Sequence, residues 1–150
     1  MKKIIFMIII SLWAACSMAS TNEYQADVLR VVDGDTIVLR IHLGFDVTMD
    51  SHCRFYGVNA PEIHGVSYTN GMISRAFVSS MVSNRTIRLL TLDDKRDKYG
   101  RILGIIVVDG KNVNQLLLNK KLAVPMGDDG SAVKDFELFV EKGWWESLWR

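Results

Sequence analysis

Three short stretches gather the side chains able to do chemistry: "DGDT" at 33–36, "RFYGVNAPE" at 54–62 and "DKYGR" at 97–101. Each falls at a turn or at the end of an extended run. Taken singly, each has a plain reading. Asp33, Gly34 and Asp35 make the commonest short hairpin signal, because glycine and aspartate tolerate the positive backbone angles such turns need. Arg54 reads as a surface strand residue, Glu62 as a solvated loop acid after Pro61, and Lys98, Tyr99 and Arg101 as a charged turn around Gly100. Exposed charges are normal. The conjunction is harder to dismiss. A carboxylate turn, an arginine upstream of Pro-Glu and a second arginine behind Tyr-Gly are what phosphodiester hydrolysis requires. Carboxylate oxygens suit a hard dication, a carboxylate near a cation can take a proton from water, and two guanidinium forks can hold oxygens that gain negative charge. Lysine would supply the charge there without the fork.

The elements that must position these residues show in the apolar periodicity. Ile37, Leu39 and Ile41 share one face of an extended run, with Val38 and Arg40 on the other, and the run 24–32 pairs with it across the aspartate turn. A third strand is expected over 52–58, with Cys53 and Phe55 inward and Arg54 and Tyr56 opposite. Asn59, Pro61 and Gly65 mark a loop. Ile73, Phe77 and Met81 recur at helical spacing over 70–84, with Asn70 as cap. Strands resume at 86–92 and 103–108, and "DGK" at 109–111 turns the chain. A second helix begins with Val113, Leu116 and Leu117, and a third fits 133–142, ending at Gly143. Strands first, with helices interspersed later, predict an α+β architecture: a small five-stranded β-barrel with about three packed helices.

At the amino end, Lys2 and Lys3 precede an apolar run from Ile4 to Trp13 and then small residues, the pattern of a secretory leader, and the run is shorter than a bilayer span. Cleavage after Ala19 satisfies the small-x-small pattern of Ser17, Met18 and Ala19. A rival exit is Cys16, since "LWAAC" resembles a lipid-attachment box, with Trp13 where leucine is usual. Soluble export ranks first and lipid anchoring through Cys16 second. The remaining 131 residues, 20–150, make one domain. The formal net charge is +1 and the leader carries two lysines and no acid, so the remainder carries −1. Phosphate attraction must therefore be local. Cys53 is then the one cysteine left, which excludes an intramolecular disulfide and reads as a small buried apolar residue. His42, His52 and His64 have no metal-ligand spacing, and His64 reads as a solvated loop residue near Glu62.

From about Tyr24 to Trp145 the chain resembles the staphylococcal nuclease-like (thermonuclease) family, carrying in order "VVDGDT", "RFYGVNAPE", "AFVSSMV", "DKYGR", "DGKNVNQLLL" and "EKGWW". The resemblance implies an OB-type barrel and a calcium-dependent, exported endonuclease acting on DNA and RNA, monomeric and without an obligate protein partner. It implies that Asp35 supplies a calcium-ligand carboxylate with Asp33 behind it, that Asn59 and the Ala60 backbone carbonyl complete the protein's share of the metal site, that Glu62 is the general base, and that Arg54 and Arg101 hold the phosphate. Lys98 and Tyr99 lie beside the nucleotide. The chain departs from the family where "DxPE" usually carries a second metal-binding aspartate: Asn59 keeps an oxygen and loses a charge, at an expected cost of about 1–3 kcal/mol in calcium binding. After Leu122 it reads "AVPMGDDG", with no match for the tyrosines that line the nucleotide pocket in some members.

Two other classes compete. One is a catalytically silent nucleic-acid-binding module on the same barrel, recruiting a single strand through its open face. Glu62 argues against it, because a binder has no need of a general base. The other is a lipid-anchored envelope protein, with membrane contact only if Cys16 is modified.

Overall fold

The apolar alternation becomes a barrel through strand pairing. The computed structural model describes residues 21–127. β1 (Thr21–Val31), β2 (Thr36–Gly44) and β3 (Val47–Phe55) form an antiparallel meander, followed by the two-residue β4 (Val58–Asn59) and α1 (Tyr68–Val82). β5 (Thr86–Arg96) pairs with the other edge of β1, and β6 (Ile102–Val108) pairs with β5. A parallel pairing of β6 with β3 closes the five long strands into an OB-type barrel of mixed direction. The short β7 (Lys111–Asn112) extends β6, α2 (Val113–Asn119) follows it, and β8 (Val124–Pro125) pairs with β4. The expected α+β barrel is present with two helices among the described residues. The third expected helix at 133–142 lies outside them, as do the leader and Cys16.

Ile37, Leu39 and Ile41 are buried, as their alternation predicts, and meet Cys53, Phe55, Leu89 and Ile106 in one core that also takes in Val78, Val82, Val113 and Leu117 from the helices. Burial pushes the Cys53 thiol up to about 12 against the pull of the Arg101 charge, so it is protonated and packs as a small apolar residue.

Three elements differ from the sequence reading. β3 begins at Val47 rather than near 52, because its exposed, polar first half is held by pairing with β2, Arg40 opposite Asp50 and His42 opposite Thr48. β5 runs on to Arg96 past an irregularity in its pairing with β6, where Asp93 and Asp94 take φ of 52° and 51°. In α1 the buried face is Gly71, Ser74, Val78 and Val82, one position away from the expected stripe, and Ile73 is exposed. Its N-cap is Ser67, without a side-chain cap bond, rather than Asn70.

Close approach explains the shift of the α1 face. A Cβ on Gly71 would lie 2.4 Å from the carbonyl oxygen of Glu62 and 2.8 Å from that of Pro61, so the helix rests directly on the backbone that presents Glu62. The Ser74 hydroxyl donates to the Leu122 carbonyl at 2.6 Å and ties the same face to the segment after α2. Gly34 is needed for the same reason and not for a positive φ, which it does not have: a Cβ there would meet the Cβ atoms of Ser74 and Ala60 at 2.6 and 2.7 Å. The glycine between the two aspartates lets the turn sit between α1 and the 59–62 loop.

Candidate active site

The turn joining β1 to β2 is built by its first aspartate. The Val32 and Asp33 amides donate to the Thr36 carbonyl, and the Asp33 carboxylate accepts the Asp35 amide at 3.0 Å, an Asx turn that leaves the Asp35 side chain pointing inward. Asp35 is buried. Its Oδ2 accepts the Ala60 amide at 2.7 Å, and its Oδ1 accepts the Thr36 hydroxyl at 3.1 Å and the Arg54 guanidinium at 2.5 Å. Burial raises the Asp35 carboxyl above the ordinary carboxylate range, against the pull of Arg54 and of the Ala60 amide. Additional positive charge at this carboxylate would therefore be favourable.

Arg54 reaches Asp35 from the end of β3, and its second amino group donates to Asn59 Oδ1 at 2.9 Å, to the Val58 carbonyl at 3.5 Å and to the Met126 sulfur at 3.4 Å. The guanidinium thus bridges the two side-chain oxygens expected to face a metal. Ala60 meets Asp35 through its amide, and the contact seen for Asn59 is to Arg54.

The 97–101 loop places the second arginine. Asp97 accepts the Tyr99 and Arg101 amides, each at 2.9 Å, and the Arg101 Nε at 2.7 Å, while Gly100 turns the chain with φ of 80°. Arg101 Nη1 donates to the Thr36 hydroxyl oxygen at 3.3 Å, so a chain of polar contacts runs from Arg101 through Thr36 and Asp35 to Arg54. The exposed Tyr99 ring has the Lys98 ammonium 5.1 Å and the Arg101 guanidinium 5.4 Å from its centre. Glu62 stands exposed at the rim, after Pro61.

All nine residues singled out from the sequence, Asp33, Asp35, Arg54, Asn59, Ala60, Glu62, Lys98, Tyr99 and Arg101, line one open cleft of about 750 Å³. Three contributors were not singled out. Thr36 and Asp97 lie inside the motifs, but their bridging roles depend on how β2 meets the 97–101 loop. Met126 comes from a stretch with no polar signal. The ordinary positions of Thr36 and Asp97 at the ends of "DGDT" and "DKYGR" were the available clue.

Asp97 yields a pH-dependent expectation. Burial alone would raise its carboxyl, but the Arg101 amide and guanidinium and the Tyr99 amide hold it below the ordinary range. A carboxylate depressed in the folded state adds stability that is complete above its unfolded value near about 4 and is lost as pH falls through the folded one. Asp97→Asn is expected to cost about 2 kcal/mol at neutral pH. In urea unfolding followed across pH, the difference from wild type should shrink below about pH 4; a gap constant with pH would contradict the assignment.

As to a metal, the donors are hard oxygens: the buried Asp35 carboxylate and the Asn59 amide oxygen. Among the described residues no group of three His, Cys, Asp or Glu side chains stands ready to hold an ion. This set fits calcium as a weakly held ion that takes its other oxygens from carbonyls and water, and requires Arg54 to withdraw from between the two side chains.

The closed OB-type barrel carries two arginines, a buried turn aspartate and a rim glutamate in one cleft. The chain belongs to the family described as staphylococcal nuclease homologues, whose model matches residues 52–139. It is 31% identical over 115 residues to Endonuclease YhcR of Bacillus subtilis, covering 70% of this chain and 9% of that protein. It is 30% identical over 141 residues to protein MJ1439 of Methanocaldococcus jannaschii, covering 81% and 66%. With the Thermonuclease of Staphylococcus hyicus the identity is 26% over 112 residues, covering 73% and 63%. The match therefore spans less than two thirds of each of these relatives' own length.

Proposed function

We propose that the protein is an exported, calcium-dependent nuclease that hydrolyses phosphodiester bonds in DNA and RNA, working as a monomer without an obligate protein partner. The observation that carries this reading is the convergence of Arg54, Arg101, Asp35 and Glu62 on one cleft. Relatives named endonuclease and thermonuclease support it.

A phosphate entering the cleft meets Arg101, already oriented by Asp97, and Arg54, which exchanges its contacts with Asp35 and Asn59 for phosphate oxygens. The two planar forks donate paired hydrogen bonds to oxygens whose charge grows toward the transition state. Glu62 takes the proton of the attacking water, with the backbone of residues 61–62 held from behind by Gly71. Tyr99 and Lys98 flank the nucleotide. Calcium, when bound at Asp35 and Asn59, supplies a Lewis acid for a phosphate oxygen. Glu62 is the feature that favours hydrolysis over silent binding on this barrel.

The cation's place is tested at Asn59. Asn59→Asp adds a negative charge beside Asp35, a gain that its tighter hold on Arg54 limits but does not cancel, so the calcium concentration for half-maximal cleavage should fall by about tenfold. The measurement is a calcium titration of cleavage rate for both proteins at fixed ionic strength. Unchanged half-saturation would remove Asn59 from the cation site.

For export, residues 1–19 act as the leader and the mature chain begins at Ser20. Intact-mass analysis of protein recovered from a bacterial host should give that start. A chain beginning at a lipidated Cys16 would place the protein on a membrane, and a retained Met1 would overturn both forms of processing.

A further inference from the structure

β5 ends on an arginine that the catalytic reading leaves unused. Arg96 is exposed, lines the same cleft as Arg54 and Arg101, and closes the base of the 97–101 loop by pairing with Ile102. Its Nη1 donates to the Gly100 carbonyl at 2.7 Å, and its Nη2 lies 4.0 Å from the Met49 sulfur of β3. The guanidinium is therefore fixed by a neutral oxygen, which leaves its charge uncompensated and the rest of its fork open to a ligand.

The acids around it are committed elsewhere. Asp97 holds Arg101. Asp94 accepts the Thr91 hydroxyl at 2.5 Å, the Tyr24 hydroxyl at 3.1 Å and the Asn22 side-chain amide at 3.0 Å, which draws its carboxylate toward β1. Among the described residues Arg96 makes no ion pair, whereas Arg54 pairs with Asp35 and Arg101 with Asp97. Each central arginine must exchange a carboxylate for a phosphate, and Arg96 has none to give up.

We propose that Arg96 binds the phosphate next to the scissile one along the strand, so that the site takes a nucleic-acid chain in preference to a single nucleotide ester. The inference rests on the nuclease reading and extends it. Arg96 grips the residue directly before Arg101, and the loop between them is braced by the Asp97 amide on the Arg101 carbonyl and the Gly100 amide on the Asp97 carbonyl, both at 2.9 Å. The two guanidiniums thus stand on one braced loop, with the exposed Tyr99 ring beside them. After the leader the chain carries a formal charge of −1, so attraction for a polyanion has to come from local, unpaired cations of this kind.

The test is binding of a fluorescent single-stranded DNA oligonucleotide to the purified protein carrying Glu62→Gln, so that the strand stays intact, followed by anisotropy in calcium over a range of salt concentrations. Adding Arg96→Ala should weaken binding by about tenfold at low salt and flatten the dependence of log Kd on log salt by about 0.7, the share of one phosphate on a single strand. Arg96→Lys should recover the slope. Arg85→Ala, which removes the same charge from the other end of β5, should change neither quantity, and thermal melts should show all three variants folded. With Glu62 in place, Arg96→Ala should raise KM for the oligonucleotide and hold kcat within about twofold. An unchanged slope in Arg96→Ala, an equal loss in Arg85→Ala, or a fall in kcat at constant KM would overturn the second phosphate position. A wild-type protein that cleaves nothing yet binds with the Arg96-dependent slope would support the Arg96 contact and refute hydrolysis.

Discussion

Glu62→Gln is expected to lower the DNA cleavage rate by roughly two to four orders of magnitude while leaving the fold and nucleic-acid binding nearly intact. The side chain is exposed at the rim of the cleft, so the change removes no packing. Its backbone is pressed against α1 at Gly71, a contact that is indifferent to the amide replacement. An isosteric amide can still accept a hydrogen bond from water and cannot take its proton. The loss should appear in turnover, with the dissociation constant for uncleaved DNA close to wild type. A mutant that kept more than about a tenth of the rate would remove Glu62 as the base.

The two arginines carry the second large effect. Arg54→Lys and Arg101→Lys both preserve charge, yet each is expected to reduce turnover by about a hundredfold or more, because a point ammonium cannot span two phosphate oxygens. The two should differ in their stability cost. Arg54 is only 15% exposed and bridges Asp35, Asn59, Val58 and Met126. A lysine there leaves several of those acceptors without a donor and should lower the melting temperature. Arg101 is anchored through Asp97 at the edge of the barrel, so Arg101→Lys should be felt mainly in catalysis. Kinetics and thermal melts on the same preparations separate the effects. Wild-type rates in either variant would refute its role at the phosphate.

What the sequence revealed follows from which interactions are local. The β2 alternation is a direct consequence of one face meeting the core, so Ile37, Leu39 and Ile41 were legible as buried, and Cys53 likewise. The three chemical motifs were legible because each is short and sits at a turn or strand end. The buried face of α1 was not. It is set by the contact of Gly71 with the backbone at residues 61–62 and by the bond from Ser74 to Leu122, neither of which produces an apolar stripe. The early start of β3 was also hidden, because Thr48, Asp50 and His52 are held by pairing with β2 rather than by burial. Gly34 was expected on grounds of backbone freedom and is required by proximity to Ser74 and Ala60.

In the site, residue identities were legible and partners were not. Asn59 reads from its motif as a metal oxygen, and in the folded protein that oxygen holds Arg54. Only the meeting of β3 with the 59–62 loop and the turn at Asp35 brings the guanidinium between them. The same long-range geometry makes Thr36 the link between Arg101 and Asp35. Burial without enough positive charge keeps Asp35 above the ordinary carboxylate range, which is the local reason for a cation to be favoured there.

The central claim is that this cleft hydrolyses phosphodiester bonds with the help of a dication. Its most direct test is incubation of the purified protein with supercoiled plasmid and with single-stranded DNA, in calcium and in chelator, with Glu62→Gln alongside. Nicking and degradation are expected in calcium, none in chelator, and almost none by the mutant. DNA binding with no cleavage under any of these conditions, or cleavage undiminished by chelator and by Glu62→Gln, would contradict it.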